Sequence, residues 1–419
     1  MNTRRIVFLI VLSIVFSLDL HAQTRDAISD AILRDDGASV EAMLKSSSKL
    51  VDQKNADGWT PLAEASFGGK PNAVSALLAR HANIEAKDQD NERPISLAAS
   101  NGHADVVRLL LEAKANPNVT NTNGETPLYE ASENGKLECV KLLLEHRAEI
   151  SLATKEGKTP LDAACESGYN DVVELLLAHQ AEVDETVNNK TSPFAGYTPL
   201  DFATEGGHVT VVQTLLEHHA DIHIPSENGN LPIHFSATYH GNDSIIDILV
   251  AHGASINALN KYHQTPMHLA VWEDKPQTIH TLMRLGADPN IGDSAGNTPL
   301  HLAAHAGRED LVRALVEDGA KPDVRNAEGI TPLMFGVEGN YIDVVRALLE
   351  KKADPNIKDA EGKTAVYYLN SNVFQYTAAS LLGYGTKIDV KDNAGETPLQ
   401  YFTRTGHPEI VKYLKENKR

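Results

Sequence analysis

One tripeptide recurs along almost the whole chain at a nearly constant interval. Thr-Pro-Leu begins at Thr60, Thr126, Thr159, Thr198, Thr298, Thr331 and Thr397, and variants of it begin at Arg93, Leu231, Thr265 and Thr364. We call each copy of the tripeptide or its variants a mark. Successive marks begin 33 residues apart, except for one interval of 39 before Thr198 and one of 34 before Thr265. A fixed period of this length predicts a stack of repeats, where 419 residues would otherwise allow two or three globular domains.

Each period carries the signals for two short helices. Thr can cap a helix by accepting a hydrogen bond from a free backbone N–H, and Pro suits the first helical position because it needs no N–H partner. The first helix should end at a Gly suited to a left-handed conformation, such as Gly69, Gly102, Gly135, Gly168 and Gly307. The second helix carries apolar runs such as 106–111, which cover more than one face because a helix inside a stack touches neighbours on both sides.

These features resemble the ankyrin repeat. The tripeptide, the following Ala-Ala pair, the Gly and the terminal Ala-Asp-Pro-Asn stand where that family has them, and Thr298 to Asn326 is close to a consensus unit. Eleven units carry the mark, and residues 25–56 resemble an atypical first repeat. The resemblance implies an all-α repeat solenoid of stacked helix-turn-helix units with projecting β-hairpins. It also implies that the hairpin tips and the end of each first helix line a concave surface that contacts partners.

The first 22 residues predict a secretory signal peptide. Arg4 and Arg5 precede the apolar stretch from Ile6 to Leu18, and cleavage is expected after Ala22. A stretch of 13 residues is short for a membrane span, which needs about 20. An uncleaved anchor is the alternative. We therefore expect an exported protein, periplasmic or secreted, with a bacterial Sec-type signal.

The rest of the chain is predicted to form one ankyrin-repeat domain, residues 23–419. Residues 23–56 would be the N-terminal capping repeat, 57–396 the central repeats and 397–419 the C-terminal capping repeat. Two irregularities lie inside the domain: a long hairpin at 184–197 and a degenerate unit near 364–390. That unit holds Tyr367, Tyr368, Phe374 and Tyr376, which would either form an aromatic contact surface or, as we favour, repack an irregular junction.

The formal net charge of −19 shapes the expected partners. Such a chain is repelled by phosphate backbones and anionic lipids, so we expect a protein partner, with a basic surface, and neither nucleic acid nor membrane. The alternative is that the acidity only maintains solubility. The two cysteines, Cys139 and Cys165, fall in helices of neighbouring repeats, where two buried thiols are favoured over a disulfide bond.

Aromatic residues at unusual positions are the candidate partner-binding residues. Trp59 would lie at a hairpin tip, Phe67 and Trp272 at the end of a first helix, and Tyr239 one position further along. Phe194 and Tyr197 belong to the long hairpin, and insertions between repeats often fall on the binding face. Exposed aromatic side chains at such sites are typical binding hot spots. The alternatives are burial against a neighbouring repeat and, for the hairpin, a tolerated loop.

The sequence offers little for catalysis. Most of the 18 histidines recur at the repeat period, with His234, His268 and His301 at one consensus position, so they should be spread along the stack. There is no zinc, nucleotide-binding or serine-hydrolase motif. Residues 88–92 faintly resemble a calcium loop, but Arg93 stands where that loop needs Gly.

We therefore expect no enzyme, no cofactor and no metal site. The function predicted is a non-catalytic protein-interaction module that holds a partner along the concave face and hairpin tips. A self-associating structural scaffold of the cell envelope is the first alternative. A hydrolase hidden in the degenerate repeat is the second.

Overall fold

The computed structural model describes residues 25–55, 58–238, 243–370 and 374–417. Within these ranges the chain is helix and turn, without a β-strand. Its contacts divide it into two compact units, unit 1 up to Ala220 and unit 2 from Asp221 onward. The predicted signal peptide, residues 1–22, lies outside the described residues.

Unit 1 is built from six helix pairs. The helices are residues 25–33 (α1), Gly37–Ser46 (α2), Pro61–Phe67 (α3), Pro71–Leu78 (α4), Pro94–Asn101 (α5), Ala104–Glu112 (α6), Pro127–Glu133 (α7), Leu137–Glu145 (α8), Pro160–Ser167 (α9), Asn170–Ala178 (α10), Pro199–Glu205 (α11) and Val209–Glu217 (α12), with a 3-10 helix at Ser48–Asp52.

Unit 2 repeats the same plan. Its helices are Pro232–Phe235 (α13), Asp243–Ala251 (α14), Pro266–Trp272 (α15), Pro276–Arg284 (α16), Pro299–His305 (α17), Glu309–Glu317 (α18), Pro332–Glu338 (α19), Ile342–Glu350 (α20), Gln375–Gly383 (α21), Pro398–Thr405 (α22) and Pro408–Glu416 (α23), with a 3-10 helix at Ala365–Tyr368.

The first helices begin as the tripeptide predicts. Pro occupies the first helical position, and the preceding Thr caps the helix. At Thr159 the bonds are reciprocal, since its Oγ1 accepts from the Asp162 N–H at 3.3 Å while Asp162 Oδ2 accepts from the Thr159 N–H at 2.8 Å. Arg93 provides no such side-chain cap. Thr364 also provides none, so a Thr at this register is not sufficient for the cap.

The inter-helix glycines adopt the left-handed conformation that the sequence predicts. Gly135 has φ +65° and Gly168 has φ +81°. A Cβ on Gly135 would lie 2.5 Å from the Tyr169 ring, so the turn also depends on close packing against the next repeat.

The core of each unit forms between repeats. First helices pack against the first helices of the neighbouring repeats, as α5, α7, α9 and α11 do. Second helices likewise pack against second helices and form a second layer. Most Val and Leu residues of the second helices are buried, which explains why these helices are apolar on more than one side. The hairpins are turns that bond to one another, for example through Thr122 N–H to Asp90 O at 3.0 Å and Lys155 N–H to Asn123 O at 2.8 Å.

The degenerate unit repacks the chain around aromatic side chains. Tyr367 and Phe374 are buried, and the Tyr367 hydroxyl lies within hydrogen-bond distance of two carbonyl oxygens, Val390 O at 2.9 Å and Glu396 O at 2.6 Å. Tyr376 is exposed. The favoured interpretation, repacking of an irregular junction, therefore applies to Tyr367 and Phe374.

Candidate partner-binding surface

An apolar groove opens at the first repeats of unit 1. Its apolar lining is Ile32, Leu33, Trp59 and Phe67, and it encloses about 350 Å³. The Trp59 and Phe67 rings are in contact, with centroids 4.9 Å apart. Leu33 is 67% exposed and Phe67 45% exposed. Two aromatic residues singled out from the sequence therefore form one apolar surface, together with two residues of the unmarked first repeat.

A buried ion pair holds this groove in place. Arg25 is 4% exposed, and its Nη1 lies 3.0 Å from Glu64 Oε2. The same guanidinium donates from Nη2 to Trp59 O at 3.1 Å, and Asn55 Oδ1 accepts from the Trp59 N–H at 2.9 Å. Bonds on both sides of Trp59 fix the backbone beneath its ring, so the groove is preorganised and a ligand would lose little entropy there.

Three later repeats of unit 1 carry a carboxylate at the register of Phe67, beyond Ser100 in the repeat between them. Phe67 is the seventh residue after Thr60, and the seventh residues after Thr126, Thr159 and Thr198 are Glu133, Glu166 and Glu205. We call these three glutamates the acidic row. Glu133 and Glu205 are the last residues of α7 and α11, and Glu166 is the next-to-last residue of α9; α7 packs against α9, and α9 against α11.

The acidic row is electrostatically strained. Partial burial and, less strongly, neighbouring carboxylates including Glu166 raise the pKa of both Glu133 and Glu205. Lys158 offsets part of this charge, because its Nζ donates to Glu166 Oε2 at 2.6 Å. A cation brought by a partner would relieve the remaining repulsion.

The aromatic residues of the long hairpin pack into unit 1. Phe194 and Tyr197 contact the buried Phe202, with ring centroids 5.4 and 5.2 Å away, and Lys158 Nζ lies 3.9 Å from the Phe194 centroid. The hairpin closes through Val187 N–H to Tyr197 O at 2.9 Å. Phe194 and Tyr197 are half-buried, so less of each ring is available to a partner than at Phe67.

The other two candidates belong to unit 2. Trp272 is 72% exposed at the last residue of α15, as its position in the repeat predicts. Tyr239 lies outside the described residues.

The three consensus histidines are structural. His268 Nδ1 accepts from the Thr265 N–H at 3.1 Å, and its Nε2 lies 3.0 Å from Asn297 O. His234 and His301 make the equivalent bonds, and burial lowers the pKa of each to about 4. Both ring nitrogens are occupied, so these side chains serve as caps that also join one repeat to the next turn.

The two cysteines are free and buried, as predicted. Burial raises the pKa of Cys139 to about 11 and that of Cys165 well above its usual value. Since the thiolate is the reactive form, neither is suited to nucleophilic chemistry.

Sequence reasoning missed the acidic row and the contributions of Arg25 and Leu33. Aligning the repeats on Thr-Pro-Leu would have found the glutamates, because they share one register. Arg25 and Leu33 precede the first mark, so no repeat position signals their role. Among the described helices, none is long and apolar enough to cross a membrane.

Stacked helix pairs with an apolar groove and an acidic row define a repeat solenoid with the features of a binding protein. Models of ankyrin repeats match residues 28–121, 95–187, 200–293 and 267–359 as sets of three copies, and residues 161–216 and 375–414 as repeats in many copies. The chain belongs to the ankyrin-repeat family, which confirms the predicted fold class. Ankyrin repeats are in general non-catalytic modules of protein–protein interaction.

A curated relative is the transient receptor potential cation channel subfamily A member 1 of Drosophila melanogaster. It is 44% identical over 55 residues, which are 13% of this chain and 4% of that protein. The similarity therefore concerns a short stretch of repeats and a small part of the channel.

Proposed function

We propose that the protein is a non-catalytic interaction module, and that unit 1 binds a basic segment of a partner protein. An apolar side chain of that segment would insert into the groove of Ile32, Leu33, Trp59 and Phe67. The observation that carries the proposal is this groove, which begins a register continued by the acidic row.

The groove would supply most of the binding free energy. Leu33 and Phe67 expose apolar surface to solvent, and the backbone of Trp59 is held from behind by Arg25 and Asn55. Aromatic side chains in preorganised pockets are the typical hot spots of interfaces, each contributing roughly 2 kcal/mol or more.

The acidic row would select the charge of the partner. Among the described residues, Lys158 is the one cation that forms an ion pair with the acidic row, and the chain as a whole carries −19. Lys or Arg side chains would relieve the mutual repulsion and would be steered to the surface at low ionic strength. Association should therefore slow as salt is added, while the apolar contact persists.

The proposal extends to the location of the protein. Residues 1–22 have the n-region, apolar stretch and cleavage position of a secretory signal, so we propose an exported protein in the periplasm or outside the cell. Mass spectrometry of the protein isolated from cell fractions tests this. An N-terminus at Gln23 outside the cytoplasm is expected, and an intact N-terminus in the cytoplasm would refute it.

The binding experiment uses affinity capture with mass spectrometry, followed by titration of the captured partner. Trp59→Ala with Phe67→Ala should weaken binding by about 30-fold or more. The control is Tyr376→Ala, which truncates an exposed aromatic residue outside the surface and should leave affinity unchanged.

Two further variants separate the parts of the surface. Replacing the three glutamates of the acidic row by Gln should lower the association rate and its dependence on salt. Trp272→Ala tests whether unit 2 takes part. A partner indifferent to the groove variants and to the acidic row would refute the site, and concentration-dependent self-association without a captured partner would favour the scaffold alternative.

A further inference from the structure

Glu130 is a buried carboxylate that lacks a full set of partners. It lies on α7 and is 7% exposed. Its Oε1 accepts from Asn121 Nδ2 at 3.1 Å, whereas its Oε2 is buried and has no hydrogen-bond partner among the described residues. Burying a carboxylate oxygen without a hydrogen-bond partner costs free energy of folding, so a ligand that pairs with it would stabilise the protein.

Those surroundings are two more carboxylates. One oxygen from each of Glu92, Glu125 and Glu130 lies within 4.8 Å of the other two. Asn121 Nδ2 also donates to Glu92 Oε1 at 2.7 Å and to Glu125 Oε2 at 2.6 Å, so one neutral amide with two hydrogens faces three acidic groups. Glu92 Oε2 is a second buried oxygen without a partner in the described part of the chain.

The same register in an earlier repeat shows what is missing. Glu64 follows Thr60 by four residues, as Glu130 follows Thr126, and Asn55 donates to Glu64 as Asn121 does to Glu130. Glu64, however, has the guanidinium of Arg25 at 3.0 Å. At Glu130, two carboxylates stand where Glu64 has the guanidinium of Arg25. The described part of the chain therefore supplies a positive charge at Glu64 but none at the equivalent position beside Glu130.

We propose that Glu92, Glu125 and Glu130 bind a divalent cation, and that this cation is Ca²⁺. All three ligands are hard oxygen donors, without the His or Cys that softer metals prefer. Ca²⁺ accepts oxygens at about 2.3–2.6 Å in flexible geometry, so three oxygens that lie within 4.8 Å of one another can share one Ca²⁺, whereas Mg²⁺ needs a tighter octahedron. Glu125 is only half-buried, which leaves room for water to complete the shell.

A proton shared by Glu92 and Glu130 is the competing explanation. Burial, followed by the charge of Glu92, raises the pKa of Glu130, which favours such a proton.

The test uses Tb³⁺ as a luminescent probe with the full chain. Tyr129 borders a surface depression with Glu125 and would sensitise Tb³⁺ bound at the site. We expect Ca²⁺ to displace the Tb³⁺ at about 10⁻⁴ to 10⁻³ M, and Mg²⁺ to require concentrations about tenfold higher. Ca²⁺ should also raise the Tm of the chain at the same concentrations.

Glu130→Gln should reduce Tb³⁺ affinity by about tenfold or more, because it removes the central charge while keeping the shape of the side chain. Glu145→Gln removes the same charge from an exposed position in the same repeat and should change affinity by less than about twofold. Circular dichroism verifies that both variants fold. If Ca²⁺ neither displaces Tb³⁺ nor raises the Tm of the unmodified chain, or if both variants bind equally, the proposal is refuted and the proton explanation stands.

Discussion

Replacing His301 by Gln is expected to remove one of the three contributions that buried cap histidines make to the acid sensitivity of unit 2, beside those of His234 and His268. His301 Nδ1 accepts from the Thr298 N–H at 3.1 Å, and its Nε2 lies 3.0 Å from Ile330 O. Protonation of Nδ1 would place its N–H against the Thr298 N–H, and because neither donor can accept, the cap would break. Gln400 occupies the equivalent place in the last repeat, where its Oε1 accepts from the Thr397 N–H at 2.9 Å, so Gln can cap without titrating.

The magnitude follows from the difference between the folded and unfolded pKa. Burial lowers the pKa of His301 from the ordinary 6.5 to about 4, so the unfolded chain binds more protons between these values. Stability is therefore fully present above about pH 6.5 and is lost as the pH falls, with the loss complete below about pH 4. The full effect is about 3 kcal/mol, of which about 2 kcal/mol is lost by pH 5.

The measurement is urea unfolding at about pH 7.5 and pH 5, followed by circular dichroism and by hydrogen exchange of the peptides that contain residues 298–330. Hydrogen exchange is needed because repeats can unfold separately. His301→Gln should cost less than about 1 kcal/mol at the higher pH, for the bond to Ile330, and should reduce the acid-induced loss by about 2 kcal/mol.

His252→Gln is the matched control, because His252 is exposed in the same unit and bonds only within its own helix. It should leave the pH dependence of unfolding unchanged. If His301→Gln shows the same acid-induced loss as the unmodified chain, the buried cap does not govern the acid response and the reasoning is refuted.

Three other outcomes follow from buried groups in unit 1. Burial raises the pKa of Asp201 to about 8 from 3.8, so the stability of the fold should decrease as the pH rises through this window. In urea unfolding, Asp201→Asn should therefore stabilise the chain by about 1–3 kcal/mol at about pH 8.5 and by less at about pH 4.5. An equal gain at both pH values would contradict this. Gly135→Ala should lower the free energy of unfolding by about 1–2 kcal/mol because of its positive φ and the Tyr169 ring, and a higher Tm would refute it. Cys139 and Cys165 should not react with an aromatic disulfide reagent until urea unfolds the chain, and rapid reaction of the native protein would contradict their burial.

The sequence by itself determined the repeat architecture. The 33-residue interval, the Thr-Pro start of each first helix and the left-handed Gly after it are local signals, and each acts through bonds within a few residues. Repetition made them unambiguous, so the helix pairs, the caps at Thr159 and Thr198 and the turn at Gly135 could be predicted. The burial of both cysteines followed from the same register.

The chemistry of the surface was decided by tertiary structure. Trp59 and Phe67 form a groove because Leu33 and Arg25 of the unmarked first repeat pack beside them, whereas Phe194 and Tyr197 fold against Phe202.

Glu64 and Glu130 occupy the same register, but one meets a guanidinium and the other meets Glu92. These outcomes depend on contacts between residues about one repeat apart. A repeat pattern specifies which positions face each other, but the charge and exposure of each position depend on the particular side chains that stacking brings together.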